Sequence, residues 1–446
     1  MADLLDLCRA AIVGATDREE VEAYAEESRS TSIEARGGVV QKLAGSESRG
    51  VGVRLVVEGR LGYAWAADPD PAEAASLLER ARENARHATP DEANGLPSPA
   101  DPTELPGLFR GSMASLDPER KVRLALDLER VAVSTDPSVT KVEEVRYGDA
   151  ISRVALASTR GVAAEYARTD CWCLVAALAE RDGETQSGYS FRVAREVDDL
   201  EWQEAAAEGA IRGARLLGGR KPRTERIPVV LDPWAASSFL GVLSRTLSAE
   251  EVQKGRSMMA ERMGETVGSE VVTLIDDGRL PEGPGSAPFD DEGVPTSRTP
   301  LIERGVLRAF LHNSETARRA DARSTGNARR GSYRGGPGVA PTNLFLEAGA
   351  EDPEALLQRA GGGVYVQDVT GVHSGANPVS GDFSVGATGL RIENGILGEP
   401  LREMTIASTL VEMLTAVRAA GNDLRFFGGS VGSPTLLLGE MTVAGT

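Results

Sequence analysis

The sequence is short of aromatic side chains, which make up 4% of its 446 residues. Its cores must therefore be filled mainly by Ala, Val and Leu, with few large rings to fix the packing. Cysteine occurs three times, at Cys8, Cys171 and Cys173, which is too few for a disulfide framework. Cys171 and Cys173 stand two apart in an expected strand and share a face. Without a second pair they make no zinc motif, and all three read as core residues. Histidine is as rare, with His87, His312 and His373 far apart, so no short metal-binding pair exists. Of these, His373 lies in the Gly-rich stretch "TGVHSGANPVSGDFS" and is the best candidate for a functional imidazole.

Positive charge is also in deficit: 49 basic residues face 67 acidic ones, for a net charge of −18. Such a field repels phosphate backbones and argues against nucleic acid as a partner. No apolar run approaches the ~18 residues that span a bilayer; "CWCLVAALA" is one of the longest, so no membrane association is expected. The opening "MADLLDLCRAAIVGA" lacks the basic-then-apolar order of a signal peptide, and the expected location is cytoplasmic. No Ser or Cys motif comes with a nearby base. The clusters "GGPG" and "AGGGVY" lack the spacing of a phosphate loop.

Hydrophobic content of 41% beside 26% charge describes a folded, soluble chain, and its length divides into about two or three domains. "DLLDLCRAAIV" has helical spacing. Strands joined by Gly and Ser turns follow, with Val51, Val53, Leu55 and Val57 alternating as in a half-exposed sheet. Asp70 and Pro71 open an amphipathic helix, completing a first α+β unit over residues 1–100. The proline-rich "NGLPSPADPTELPG" links it to a second α+β unit, residues 115–220, packed with the first. From residue 227 to 446 the pattern changes. A helix near 233–247 precedes short strands with Gly, Pro and Asp turns, and a further helix is expected at "ASTLVEMLTAVRAAG". This third piece reads as a large, mostly antiparallel β-rich domain, closed or strongly coiled. The fold class is α+β with segregated elements.

One stretch runs against the acidic balance. "ARRADARSTGNARRGSYRGG" holds Arg318, Arg319, Arg323, Arg329, Arg330 and Arg334 against Asp321 alone. It reads either as a solvated loop or as a site gripping a carboxylate through forked guanidinium contacts.

Four ordered segments carry a resemblance: "KGRSMMAERMGETVGSEVVTLIDDG", "STGNARR…PTNLFLEAG", "GDFSVGATGLRIENGILGEPLREMTIAS" and "GNDLRFFGGSVGSPTLLLGEMTVAGT". Together they resemble the TldD/PmbA family from about Val229 onward. TldD-type subunits of that family look like zinc peptidases with a His-Glu-x-x-x-His helix and a cysteine ligand near the C-terminus. PmbA (TldE)-type subunits lack these ligands and pair with a TldD-type chain. Counting back from Gly255-Arg256-Ser257 puts the motif over Leu240, Gly241 and Arg245, and "RFFGGSVGSPTL" contains no cysteine. Zinc needs imidazole, thiolate or carboxylate donors.

The resemblance thus implies a PmbA (TldE)-type chain: a non-catalytic subunit of a heterodimeric metallopeptidase acting on small or unfolded peptides. No cofactor is expected in this chain, and zinc is expected in a TldD-type catalytic partner. A homodimer is possible when that partner is absent. Residues placed to meet substrate or partner are Arg329, Arg330, His373, Asp382, Ser384, Glu393, Asn394, Glu403 and Thr405. The alternative for the last six is that the acids hydrogen-bond backbone while Gly386, Gly389, Asn394 and Gly395 make tight turns. The alternative for the whole chain is a stand-alone peptide-modifying enzyme of a natural-product pathway, with His373 and the Arg-rich loop in its site.

Overall fold

The computed structural model describes residues 3–445. Its first half is one antiparallel sheet of six strands, in the order β3-β2-β1-β4-β5-β6. The strands are β1 (Glu19–Arg36), β2 (Val39–Val57), β3 (Arg60–Ala67), β4 (Val139–Ser158), β5 (Ala163–Arg181) and β6 (Glu184–Ala194). The two α+β units read from the sequence share this sheet, because β1 pairs with β4 from Glu22↔Ser158 to Ala35↔Val145.

Helices cover one face of the sheet. Pro71–Arg86 begins with Asp70 accepting from the Glu73 N–H at 2.8 Å, a side-chain cap that satisfies an otherwise orphaned donor. It lays Ala74, Leu77, Leu78 and Ala81 against Val21, Ala23, Val53 and Leu55. Pro118–Thr135 and Trp202–Ala214 cover the other end, over Cys171, Cys173 and Val175. Burial pushes the Cys173 thiol up to about 12, so this cysteine is a packed core group.

The second face is buried too. The alternation Val51, Val53, Leu55 suggests a half-exposed strand, yet the intervening Gly52 and Arg54 are also buried. The C-terminal domain covers them. A Cβ on Gly50 would run into the Tyr333 ring, and one on Gly52 into the Tyr333 carbonyl and the Tyr63 hydroxyl, so the two glycines admit the Tyr333 ring and its backbone. The Tyr63 hydroxyl donates to the Tyr333 carbonyl at 2.9 Å.

The C-terminal domain holds two further six-stranded sheets. In one, β7 (Glu225–Leu231) lies between the parallel Gly362–Thr370 and the antiparallel Leu436–Ala444. Asp382–Glu393 and Ile396–Thr409 continue that sheet. Thr405–Ala407 then pairs with Thr442–Ala444 and closes the ring. The helix Pro233–Thr246 packs Phe239, Leu240 and Leu243 into the same core. The expected helix at 407–421 is shorter than its sequence suggests. Only Leu410–Ala416 is helical, because Val417–Ala420 pairs with Leu436–Leu438 as a strand.

The halves meet through buried charge. Arg54 donates to Glu22 at 2.9 Å and to Glu292 at 2.7 Å. Arg330 pairs with the other Glu22 oxygen. Its backbone N–H bonds the Asp291 carboxylate at 2.6 Å, and its guanidinium lies over the Tyr24 ring with 4.9 Å to the centroid. Burial disfavours a charged Glu292, but Arg54 and the Ser314 N–H offset this and hold its pKa below the usual carboxylate range. Removing one partner of such a set leaves the others buried and uncompensated, at a cost of about 3–5 kcal/mol. Arg330→Met should therefore lower unfolding stability by about that amount, measured by urea denaturation. A loss below about 1 kcal/mol, the range of an exposed pair, would show that the network is not holding the halves together.

Candidate functional site: the interdomain cleft

The C-terminal domain does not reach across the whole sheet. Beyond the Arg54 network a cleft of about 530 Å³ remains over β5 and β6, within the usual range for ligand sites. Strand alternation supplies its floor. Cys171 and Cys173 point to the helices, so Arg168, Asp170 and Trp172 point to the cleft. The pairs Trp172↔Val193 and Leu174↔Phe191 place Val193 and Phe191 beside them. Loops at Pro284–Gly285 and Gly428–Ser430, together with Arg329, form the opposite wall.

Trp172 lies flat because Gly148 is opposite it in β4; a Cβ there would meet the indole. Trp172 stacks with Phe191 at 6.0 Å between centroids and 16° between planes. Arg168 grips Asp170 with two bonds, 2.8 and 2.9 Å, and donates to the Pro284 carbonyl at 2.5 Å. Arg195 reaches the same Asp170 at 2.5 Å and also bonds the Gly283 carbonyl. Burial, then repulsion from Arg168, lowers the pKa of Arg195. Arg329 donates to the Gly285 carbonyl at 3.1 Å.

Of the residues read as site candidates, only Arg329 lines this cleft. Arg330 is consumed by the network between the halves, so the Arg-rich stretch is not simply a solvated loop. Arg318 likewise bonds the Ala93 and Gly95 carbonyls, and Arg334 lies over the Trp65 ring. His373 is exposed on the four-residue helix Val372–Gly375. Asp382 and Ser384 are exposed at one end of their strand, and Asp382 accepts from Ser380 at 2.6 Å. Glu393 and Asn394 stand at the other end, roughly 30 Å away at the rise of a strand. There Asn394 (φ 51°) and Gly395 (φ 77°) make a two-residue hairpin turn between Glu393 and Ile396, the geometry this residue pair favours. Glu403 pairs with Lys221 at 2.8 Å, which lowers its pKa. Thr405 is half-buried where the ring closes. These six residues do not converge on one point.

Sequence reasoning passed over Trp172, Phe191, Arg168 and Arg195. The available signal was the alternation "RTDCWC", which separates Arg168, Asp170 and Trp172 from the cysteines.

At the positions that the ungapped count assigns to zinc ligands and base, Leu240 is fully buried in the core, Gly241 has no side chain and Arg245 is exposed. Among the described residues no group of three or more His, Cys, Asp or Glu could hold a metal ion. These donors do not fit zinc.

The scaffold is thus that of a two-part α+β protein in which a coiled β domain docks on an antiparallel sheet. Family models match nearly all of it. The PmbA/TldA metallopeptidase domain 1 matches residues 21–85, the central domain 112–217 and the C-terminal domain 224–445. The chain belongs to the PmbA/TldD metallopeptidase family.

It is 27% identical to Metalloprotease PmbA of Escherichia coli O157:H7, over 93% of this chain and 90% of that one. It is 26% identical to the Metalloprotease TldD homolog of Haemophilus influenzae, over 92% and 89%. The crystal structure of a proposed modulator of DNA gyrase from Thermotoga maritima superposes with a TM-score of 0.90 at 28% identity, covering 98% of both chains. TldE from Thermococcus kodakarensis shares the fold, with a TM-score of 0.89 at 22% identity, covering 96% of this chain and 97% of that one. Among the described residues no helix is long and apolar enough to cross a membrane.

If Gly148 is what seats the indole, Gly148→Ala must displace Trp172. The expected result is a shifted Trp emission and a stability loss of about 1–3 kcal/mol, as for an overpacked core. Unchanged emission and stability would mean that the floor is not set by this contact.

Proposed function

We propose that this chain is the non-catalytic, TldE-type subunit of a heterodimeric zinc metallopeptidase that processes small or unfolded peptides in the cytoplasm. The observation that carries the reading is the set Leu240, Gly241 and Arg245. A hydrocarbon, a hydrogen atom and a fixed cation stand where two imidazoles and a carboxylate base would be needed. The zinc would belong to a TldD-type partner, and this chain would shape the chamber and help hold the substrate. The interdomain cleft supports a binding role, because it joins an aromatic floor to fixed charge.

A stand-alone peptide-modifying enzyme would need His373 and the Arg-rich stretch together in one site. His373 is exposed on its own short helix, and Arg330 is bound to Glu22 and Asp291. No contact joins the two.

The test is to purify this chain and a TldD-type chain separately and together, then measure bound metal and peptide hydrolysis. The reading expects co-purification, zinc only with the partner, and hydrolysis only by the partner or the mixture. Stoichiometric zinc or peptidase activity in this chain alone would contradict it.

A further inference from the structure

The cleft over β5 and β6 combines two chemistries that rarely meet by accident. Trp172, Phe191 and Val193 offer a flat apolar surface. Beside it the guanidinium groups of Arg168 and Arg195 bond a single carboxylate, Asp170, and Arg329 stands on the opposite wall. Their other bonds go to the carbonyls of Pro284, Gly283 and Gly285. Carbonyls orient a guanidinium but do not neutralise it.

Other acids stand nearby. Glu282 pairs with Arg110 at 2.9 Å. Asp291 bonds the Arg330 N–H, and Asp276 accepts from Asn327 and Thr342; both interact with Arg329, and burial raises their pKa and so disfavours their charge. Inside a protein of net charge −18, the cleft brings three guanidinium groups close together. Arg195 is only 2% exposed, so part of that charge is held away from water, where an anion is worth more than at the surface.

The cleft also continues in one direction. Val193 and Pro284 are shared with a neighbouring hollow, and Arg192 and Arg425 link that hollow to a third beside the helix Trp202–Ala214. Together they form a groove beside β6, which is the edge strand of its sheet. One end of this groove carries the rings and the arginines around Asp170; the rest can take extended chain.

We propose that this cleft binds the C-terminal carboxylate of a peptide whose last side chain is aromatic or large and apolar. The carboxylate meets Arg329 and Arg168, the final side chain lies on Trp172 and Phe191, and the preceding residues run along the groove by β6. A forked guanidinium–carboxylate contact fixes the end of the chain, and the aromatic floor selects its last residue without reading the rest. The ligand class rests on the peptide-processing role proposed above.

The test uses the full chain alone, without a partner, and three probes: N-acetyl-Gly-Gly-Phe with a free carboxylate, the same peptide as its C-terminal amide, and phenylacetate. Calorimetry and Trp emission report binding. The free acid should bind at least about tenfold more tightly than the amide, the worth of one charge-assisted contact. Arg329→Gln should weaken the acid by a similar factor in protein that remains folded, and added salt should weaken it further. Trp172→Leu should weaken the acid and abolish the emission change.

Equal binding of acid and amide, no binding of either, or full affinity in a folded Arg329→Gln protein would overturn the proposal. Phenylacetate bound as tightly as the peptide would overturn it in favour of a small-acid site. Because no partner is present, failure of the heterodimer reading leaves these outcomes readable. Conversely, a working heterodimer with no acid preference in this cleft would sink this inference alone.

Discussion

The Glu22 carboxylate receives Arg54 from its own sheet and Arg330 from the C-terminal domain. Arg54 passes the contact on to Glu292, and Arg330 returns through Asp291. This chain of buried charges crosses the junction between the halves where neither could be solvated. Each member is tolerable only because the others are in place, so the network fixes register as well as affinity. Tyr333, its ring on Gly50 and its carbonyl by Gly52, adds shape to the same contact.

The cleft follows from where that contact sits. The network anchors the C-terminal domain over β1, β2 and β3, while the other end of the sheet carries Trp172, Phe191, Arg168 and Arg195 instead of a complementary surface. Had the covering been complete, Arg168 and Arg195 would need acidic partners from the opposite wall. The wall offers backbone carbonyls and glycines. Docking at one end and openness at the other therefore arise from one sheet face with two compositions.

Much of the fold was legible locally. Asp70-Pro71 announced a helix start, Asn394-Gly395 a tight turn, and the punctuated second half a mostly antiparallel assembly, closed or strongly coiled. What escaped was long-range. Gly50, Gly52 and Arg54 look like the exposed side of a strand until Tyr333 and Glu292 are brought against them, and Arg330 reaches a partner 308 positions earlier. No window of sequence shows that distance, so the Arg-rich stretch read as a loop or a site when much of it is mortar. Candidates in the ring, from Asp382 to Thr405, were chosen for composition, and the ladder spreads them along its length. The cleft's floor needed the pairing of β5 with both β4 and β6, which alternation alone cannot supply.

The dependence on buried charge is open to one direct measurement, a double-mutant cycle between Glu22→Gln and Arg330→Met read by urea denaturation. If the two groups hold the halves together as a pair, the cycle should give a coupling of about 1–3 kcal/mol. Additive effects, agreeing within about 0.5 kcal/mol, would contradict the account and leave the docking to shape and apolar contact alone.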